Sequence, residues 1–216
     1  MNVKTLTRDL QRVFTNSVIL YQDDFYLSDS DIPVASNGLQ DWDCPEAFDF
    51  EYMKWVLEHA KEHGKLPEKF KSLEETQTLG PTSASEEDID KIKSSLPDDN
   101  KNQQFVLVDG IMLFHASSPL IDLFDVKLML RAPYAELKKR REAREGYATL
   151  EGFWTDPPGY FDQIVWPGYV NNHKHLFINE NVEEQLHPQF SALNVPQDIH
   201  WPPHKVLQWA VDRINF

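Results

Sequence analysis

The sequence predicts an α/β fold built on a mainly parallel β-sheet, and three observations support this. Three short apolar runs have the length and composition of buried strands: 17–21, 105–110 and 124–130. Segments with helical patterns separate them, which is typical of the crossover connections between parallel strands. Asp23 and Asp24 follow the first run, and Asp109 lies at the end of the second. Because ligands bind beyond the carboxyl ends of parallel strands, these acids predict the position of a functional site.

Helices are predicted at both ends of the chain and between the strands. The helical segments are 3–14, 45–63, 134–144 and 205–216. In the first, Leu6, Leu10 and Val13 follow the three- and four-residue spacing of an amphipathic helix. In the second, Trp55 is expected to face the core. A fourth strand is predicted at 174–179.

Residues 1–216 are expected to form a single domain that contains one region of unusual composition. Residues 64–104 are rich in Lys, Glu, Ser and Thr and poor in apolar residues. This composition predicts a flexible polar insertion with one marginal helix. We expect it to contribute neither to the core nor to the chemistry of the protein.

The charge and the apolar content of the chain exclude several classes of function. With 35 acidic and 21 basic residues, the formal net charge is −14, which argues against nucleic-acid binding because affinity for phosphate backbones requires a basic surface. No stretch approaches the roughly 20 apolar residues that span a bilayer, and the N-terminus does not resemble a signal peptide. The single cysteine, Cys44, excludes an internal disulfide. We expect a soluble cytoplasmic protein, with the nucleus as a second candidate location.

The acids at the strand ends have two interpretations. Asp23 and Asp24 are adjacent, so on an extended chain at most one is expected to face a common ligand. Asp109, before Gly110, resembles the acid that holds magnesium in phosphoryl-transfer enzymes. Aspartates in such positions also cap turns and helices, and the sequence leaves both interpretations open.

A basic helix follows the third apolar run. In a helix Arg140, Arg141 and Arg144 fall within about 100° of one another. Three guanidinium groups on one face predict an anion site suited to a phosphate. A solvated basic face, with Glu136 and Arg140 as an i,i+4 pair, is the alternative. Together with the strand-end acids, the arginines favour phosphoryl transfer, in which acids hold a metal and accept a proton while arginines neutralise the transferring group.

Aromatic residues are concentrated in irregular segments. They include Trp42, Tyr147, Phe153, Trp154, Tyr160, Phe161 and Trp166. Such residues serve either local packing or ligand contact, and their number alone does not separate the two roles. The eight histidines follow no metal-ligand or acid-paired pattern, which argues against a metallohydrolase.

Five segments, read in order, carry a family resemblance. They are 22–26 (QDDFY), 39–47 (LQDWDCPEA), 108–114 (VDGIMLF), 131–134 (RAPY) with 139–141 (KRR), and 156–162 (DPPGYFD). Together they resemble the nicotinamide riboside kinases, and the fungal members in particular. The resemblance implies a P-loop NTPase-like sheet with flanking helices. It also implies transfer of the ATP γ-phosphate to the 5′-hydroxyl of nicotinamide riboside, with Mg²⁺, to give nicotinamide mononucleotide in NAD salvage.

The resemblance further implies roles for individual residues. Asp23 is the expected general base and metal partner, and Asp109 is the second metal residue. The residues expected to line the riboside are Asp24, Phe25, Tyr26, Trp42, Asp43, Arg141 and Tyr147. The residues expected to contact ATP are Lys4, Thr5, Arg140 and Arg144, and 134–166 form a lid-like region. Within this set Trp42 is expected to cover the nicotinamide ring, where an indole face over a pyridinium cation gains about 0.5–2 kcal/mol.

One family feature has no counterpart in the sequence. The resemblance leads us to expect an apolar strand and a loop of the form GxxxxGK[ST] before the first helix, but the sequence starts MNVKT and has no glycine there. Either Lys4 and Thr5 correspond to the end of that loop, or Val3 takes the lysine position. We therefore expect an N-terminally incomplete sequence that lacks the first strand of the sheet.

Two other functions compete with the kinase reading. A riboside-binding protein without catalysis would retain Trp42 and Asp43 but would not hold ATP. A kinase for uridine or another nucleoside would retain the chemistry and change the base. Binding of riboside and of ATP, and competition between nucleosides, separate the three readings.

Overall fold

The computed structural model describes residues 3–74, 82–97, 103–149, 151–198 and 200–214. In these ranges the helices are α1 (Val3–Val13), α2 (Phe50–His63), α3 (Glu86–Ser95), α4 (Tyr134–Glu142), α5 (Trp166–His173) and α6 (Pro203–Ile214). The strands are β1 (Ser17–Tyr21), β2 (Phe105–Asp109), β3 (Lys127–Leu128), β4 (Tyr147–Ala148), β5 (Phe153–Trp154) and β6 (Leu193–Asn194). None of these helices has the length and apolar character needed to cross a membrane.

Parallel strand pairs dominate the sheet structure. β1 and β2 run parallel, from Ser17 opposite Phe105 to Tyr21 opposite Asp109. β3 and β6 are also parallel, whereas β4 and β5 form a short antiparallel ribbon. Among the described residues β2 pairs with β1 alone and β3 with β6 alone. This arrangement confirms the predicted α/β class with mainly parallel strands, and it brings the ends of β1 and β2 to the same edge.

The helix α1 packs its apolar face into the main core, as its spacing predicts. Leu6, Leu10 and Val13 are buried against α3, α6 and β1. The C-terminal helix α6 contributes Val206, Leu207, Ala210 and Val211 to the same core. This apolar stripe was predicted for 205–216, of which the last two residues lie outside the described part of the chain.

The second helix begins later than predicted, and Trp55 faces outward. Asp49 caps α2 by accepting a hydrogen bond from the Tyr52 backbone N–H at 2.9 Å, so the helix starts at Phe50 and Pro45–Ala47 form a separate turn. Its buried residues are Met53, Val56, Leu57 and Ala60. Trp55 lies on the opposite face and is 53% exposed. The prediction that Trp55 faces the core was wrong because apolar character alone did not define the phase of the helix.

The polar segment 64–104 contributes to the core, contrary to the prediction. Its expected helix is α3, and Ile89 and Ile92 on that helix are buried against α1. The preceding turn is held by Arg12, which donates to the Ala84 carbonyl at 2.9 Å. Asp9, fully buried, accepts from the Ala84 backbone N–H at 3.1 Å. A few well-placed apolar side chains and an ion pair thus anchor a segment whose average composition is polar.

Two of the predicted strands differ in the structure. The run 124–130 forms a ladder only at Lys127–Leu128. The predicted strand 174–179 was wrong, because this segment forms two short 3-10 helices, Lys174–Leu176 and Ile178–Glu180. Asn179 and Glu180 have positive φ angles of 54° and 55°, which turn the chain and end any extended pairing. The apolar side chains that suggested a strand are buried in a satellite core instead.

Candidate active site

A cavity of about 1130 Å³ is lined by α1, β2, α4 and the residues that follow β3. Its volume slightly exceeds the roughly 300–1,000 Å³ typical of sites for one small ligand, so it is large enough for a nucleotide and a small substrate together. Eight predicted site residues line it: Lys4, Asp23, Asp43, Asp109, Arg140, Arg141, Arg144 and Tyr147. Residues separated by more than 140 positions in the chain are therefore brought to one cavity.

A buried glutamine connects the ends of β1 and β2. Gln22 follows β1 and is fully buried. Its Oε1 accepts hydrogen bonds from the backbone N–H groups of Ile111 at 2.8 Å and Met112 at 3.0 Å. Gly110 is required beside it, because a Cβ there would lie 2.6 Å from Gln22 Cβ and Oε1. This contact holds the end of β1 beside the end of β2 and so places Asp23 near Asp109.

We call Lys4, Asp23, Glu74 and Asp109 the strand-end cluster. Lys4 Nζ lies 2.6 Å from Asp23 Oδ2 and 2.6 Å from Glu74 Oε2. Burial disfavours the charged form of the lysine, but the two carboxylates outweigh it and raise the pKa of Lys4 above its ordinary value. Lys4 therefore remains protonated beside Asp23.

Asp109 is the most buried acid of the strand-end cluster. Its residue is 4% exposed, and its Oδ2 accepts a hydrogen bond from Thr7 Oγ1 at 3.1 Å. Burial raises the pKa of Asp109 to about 7, and the negative charge of Asp23 adds to this effect. The cluster thus contains a carboxyl group that changes charge near neutral pH.

We call Asp43, Arg141 and Asp156 the arginine cluster. Arg141 on α4 binds Asp43 through Nη1 and Nη2, both at 3.1 Å. The same guanidinium binds Asp156 through Nε at 2.6 Å and Nη2 at 3.2 Å. Asp43 and Asp156 raise the pKa of Arg141 despite its burial, and burial raises the pKa of Asp43 against the opposing effect of Arg141. Two acids and one cation leave this cluster with a net negative charge when both acids are ionised.

A close helix approach fixes the backbone of Asp43. Gly168 on α5 lies against this backbone, and a Cβ at Gly168 would lie 2.8 Å from the Asp43 carbonyl oxygen. The Tyr160 hydroxyl accepts from the Trp42 backbone N–H at 3.1 Å and donates to the Gln40 carbonyl at 2.8 Å. The loop that carries Trp42 and Asp43 is therefore held rigidly on two sides.

Aromatic rings surround the arginine cluster. The Arg141 guanidinium carbon lies 4.6 Å from the Tyr147 ring centroid. Trp42 is buried, with its ring centroid 5.5 Å from Tyr26 and 5.7 Å from Trp154. These contacts show that packing between the aromatic residues accounts for much of their concentration in the sequence. Tyr147 lines the cavity, whereas Trp42 lies behind it.

Five predicted site residues do not line the cavity: Thr5, Asp24, Phe25, Tyr26 and Trp42. Asp24 Oδ1 accepts from the backbone N–H groups of Leu73 at 2.8 Å and Glu74 at 3.1 Å. Phe25 is 2% exposed and stacks on Phe70 in the core. Of the Asp23–Asp24 pair, one therefore faces the cavity and the other anchors a loop.

The three predicted arginines lie at the end of α4 and just beyond it: Arg140 and Arg141 are on the helix, and Arg144 follows its end at Glu142. Arg141 is half-buried, while Arg140 and Arg144 are exposed at the mouth of the cavity. Arg140 pairs with Glu136, which is the i,i+4 contact of the solvated-face alternative. Arg144 donates to the Tyr147 hydroxyl at 3.2 Å. The predicted helix 134–144 is shorter than expected and does not include Arg144, so the three arginines do not share one helix face. The end of α4 and the residues after it supply one structural guanidinium and two cations that remain near solvent.

Sequence reasoning missed three residues that the structure places at these clusters. Glu74 lies in a segment that composition marked as free of chemistry, and Thr7 belongs to an ordinary helical pattern. Asp156 is the first residue of the segment 156–162. That segment supported the family resemblance, but no role was predicted for Asp156. That segment was the signal that would have found Asp156; nothing in the local sequence marks Glu74.

Acids at the ends of parallel strands and arginines around one cavity define an α/β phosphotransferase type of site. No protein-family model matches the chain. It is 39% identical over 210 residues to the nicotinamide riboside kinase of Schizosaccharomyces pombe, covering 94% of this chain and 90% of the relative. It is 37% identical over 217 residues to that of Saccharomyces cerevisiae, covering 97% and 89%. The chain belongs to the nicotinamide riboside kinase family, which confirms the resemblance of the five segments.

Proposed function

We propose that the chain transfers the γ-phosphoryl group of ATP to the 5′-hydroxyl of nicotinamide riboside, forming nicotinamide mononucleotide for NAD salvage. The observation that most supports this is a single cavity lined by Asp23 at one end of the strand edge and by the Asp43–Arg141 pair. Phosphorylation of a riboside requires a general base for the 5′-hydroxyl and groups that bind the other two ribose hydroxyls. This cavity contains a candidate for each role. The family names of its relatives agree with this activity.

Asp23 is the proposed general base. Its carboxylate accepts the proton of the 5′-hydroxyl while the hydroxyl oxygen attacks the γ-phosphorus, and the bond from that phosphorus to the β,γ-bridging oxygen breaks. Lys4 holds Asp23 Oδ2 in this structure. The lysine has a flexible stem, so its ammonium can move onto a phosphate as ATP binds and leave Asp23 as a base.

The arginine cluster and its aromatic surroundings are the proposed riboside site. Asp43 accepts hydrogen bonds from the ribose hydroxyls, and Arg141 donates to them. Tyr147, which lines the cavity, is proposed to flank the pyridinium ring, whose positive charge the acids favour. Trp42 is buried against Tyr26 and Trp154 and would contact the ring only after a change of position. Arg140 and Arg144 are the proposed phosphate contacts, together with Lys4 and Thr5, because exposed guanidinium groups at the cavity mouth suit phosphate oxygens.

The family resemblance implies magnesium as the ion that accompanies ATP, with Asp23 and Asp109 as the acids expected to hold it. In this arrangement the described residues do not fit a magnesium ion. Lys4 occupies Asp23 Oδ2, and Thr7 binds Asp109 Oδ2. No group of three or more His, Cys, Asp or Glu side chains in the described ranges forms a metal site. The proton-transfer step above therefore involves groups of the protein and the substrates alone.

A riboside-binding protein without catalysis is a second candidate. It is favoured by the ion pair that engages Asp23. Calorimetry distinguishes the two: the kinase binds both riboside and ATP, whereas the binding protein takes up riboside alone. Competition with uridine then tests which nucleobase the site prefers, because the binding of a neutral pyrimidine ring is not strengthened by the negative charge of the acids around Arg141.

Substitution of Asp23 by Asn tests the kinase proposal. We expect kcat for riboside phosphorylation to fall about 10²- to 10⁴-fold because the general base is lost, with a much smaller change in the Kd for riboside. Asp24→Asn is not a suitable control because Asp24 anchors a loop. Asp162→Asn, a change of the same chemistry at an exposed site away from the cavity lining, should leave kcat within about twofold. Retained turnover in Asp23→Asn would exclude Asp23 as the base.

A further inference from the structure

We infer that Asp156 is a positioning residue for riboside binding, acting through Arg141. The inference rests on the proposed function, because it assigns a second residue to the riboside site. Asp156 does not line the cavity, so its effect on a ligand must pass through a neighbour. Its contacts with Arg141, at 2.6 and 3.2 Å, span one edge of the guanidinium group.

The two acids hold Arg141 unequally. The shortest contact in the arginine cluster is from Nε to Asp156, at 2.6 Å, whereas both contacts to Asp43 are 3.1 Å. Nη2 is shared between the two acids. Arg141 thus contacts both Asp43 oxygens through Nη1 and Nη2, while Asp156 holds Nε and the shared Nη2 and so fixes the orientation of the guanidinium. Each Asp43 oxygen accepts one of these hydrogen bonds and keeps accepting capacity for a hydroxyl group of a ligand.

Asp156 is itself held in place. Trp154 Nε1 donates to Asp156 Oδ1 at 2.9 Å. Pro157 and Pro158 follow directly and restrict the backbone. Trp154 in turn packs on Trp42 and on Tyr160, with ring centroids 5.7 Å apart in each case. The position of Asp156 is thus coupled to the loop that carries Asp43, which is the geometry expected of a supporting residue.

Without the charge of Asp156, the Nε edge of the guanidinium loses its partner. Arg141 then keeps only its two contacts with Asp43 and can turn about them. In that state its donors are no longer held in position for the ribose hydroxyls, and Arg141 moves relative to Tyr147, over whose ring it lies. Asp156 therefore affects ligand binding more than the chemical step.

Asp156→Asn is the decisive variant because Asn can keep the acceptor for Trp154 Nε1, while an amide NH2 replaces the oxygen that accepts from Arg141 Nε, so the charge and that contact are lost. We expect the riboside KM, and the riboside Kd from calorimetry, to rise about 10- to 100-fold, the value of one charge-assisted hydrogen bond. kcat and the ATP KM should change less than about threefold. Asp162→Asn, in the same segment but paired with Lys138 at 2.6 Å, is the matched control and should leave all three constants unchanged. Asp156→Glu should restore part of the lost affinity.

The outcomes separate this inference from the proposed function. A fall in kcat with unchanged riboside KM and Kd in Asp156→Asn would overturn the positioning role. Thermal unfolding of Asp156→Asn identifies a general loss of folding. In that case Asp156→Glu decides: riboside affinity that is wholly or partly restored supports the positioning role, and no restored affinity overturns it. Riboside binding by the wild type without turnover would overturn the kinase function alone. Absence of riboside binding by the wild type would overturn both.

Discussion

The strand-end cluster and the arginine cluster both stabilise neighbouring carboxylates with one cation, but the cation differs between them. Each places carboxylates in a partly buried site and sets one cation between two of them. In the strand-end cluster the cation is a lysine, a point charge on a flexible stem, beside the buried acid Asp109. In the arginine cluster it is a planar guanidinium whose donors are shared between Asp43 and Asp156. The first cluster can rearrange when a ligand arrives, whereas the second is preorganised.

This difference agrees with the proposed division of work. A general base has to change its partner during the reaction, so an exchangeable ammonium group suits Asp23. A binding pocket loses affinity if its groups must first be ordered, so a forked guanidinium suits the riboside site. The cation in each cluster is therefore matched to its role.

The strongest test of the comparison is to remove the guanidinium. Arg141→Ala leaves Asp43 and Asp156 as buried acids without a counter-charge, with side-chain exposures of 7% and 19%. We expect the free energy of unfolding to fall by about 3–5 kcal/mol at neutral pH. Urea denaturation measures this. Arg140→Ala removes an exposed pair with Glu136 and should cost less than about 1 kcal/mol; equal losses in the two variants would contradict a preorganised arginine cluster.

A buried histidine that forms no ion pair among the described residues provides a contrast to both clusters. His173 is 3% exposed, and its Nδ1 lies 3.0 Å from the Tyr169 carbonyl. Burial lowers its pKa from the ordinary 6.5 to about 4. The unfolded chain binds a proton near pH 6.5 and the folded chain only near pH 4, so the stability from neutral His173 is complete above pH 6.5 and is lost as the pH falls through 4. We expect a loss on the order of 3 kcal/mol over this window.

Chemical denaturation of the wild type and of His173→Gln between pH 7 and pH 4 measures this loss. The variant should show a flatter pH dependence. Part of the slope should remain, since burial also lowers the pKa of His115 and of His175. His187→Gln, at an exposed histidine, is the control. An unchanged slope in His173→Gln would show that His173 does not carry the acid sensitivity.

The smallest expected effect concerns Lys4, the cation of the strand-end cluster. Lys4→Met frees Asp23 and Glu74 from the ammonium group. We expect the affinity for Mn²⁺, measured by electron paramagnetic resonance, to rise about tenfold, because one nearby positive charge is removed. Lys138→Met removes a lysine paired with Asp162 away from the cavity lining and should leave the affinity unchanged. Equal Mn²⁺ affinity in Lys4→Met and the wild type would mean that Lys4 does not compete for these acids.

Local patterns predicted the elements that pack through one regular face. The amphipathic spacing of α1 predicted its buried residues, because the helix buries a repeating set of side chains. The apolar runs predicted the positions of β1 and β2, although Phe105, Val106 and Val108 of β2 are only partly buried. Patterns failed where packing, not periodicity, decides the conformation. Trp55 was placed on the wrong face, and 174–179 forms short 3-10 helices instead of a strand.

By itself the sequence determined the fold class, the family and most of the residues at the cavity. The order of the motifs and the acids at the strand ends can be recognised in the sequence without knowledge of the fold. The tertiary structure alone decided which partner each charge takes. Lys4 meets Glu74 and Arg141 meets Asp156 through contacts between segments 70 and 15 residues apart, and no local spacing encodes such pairs. The energy of a buried charge depends on its nearest neighbours in space, so the division into an exchangeable and a preorganised cluster becomes visible only once the chain is folded.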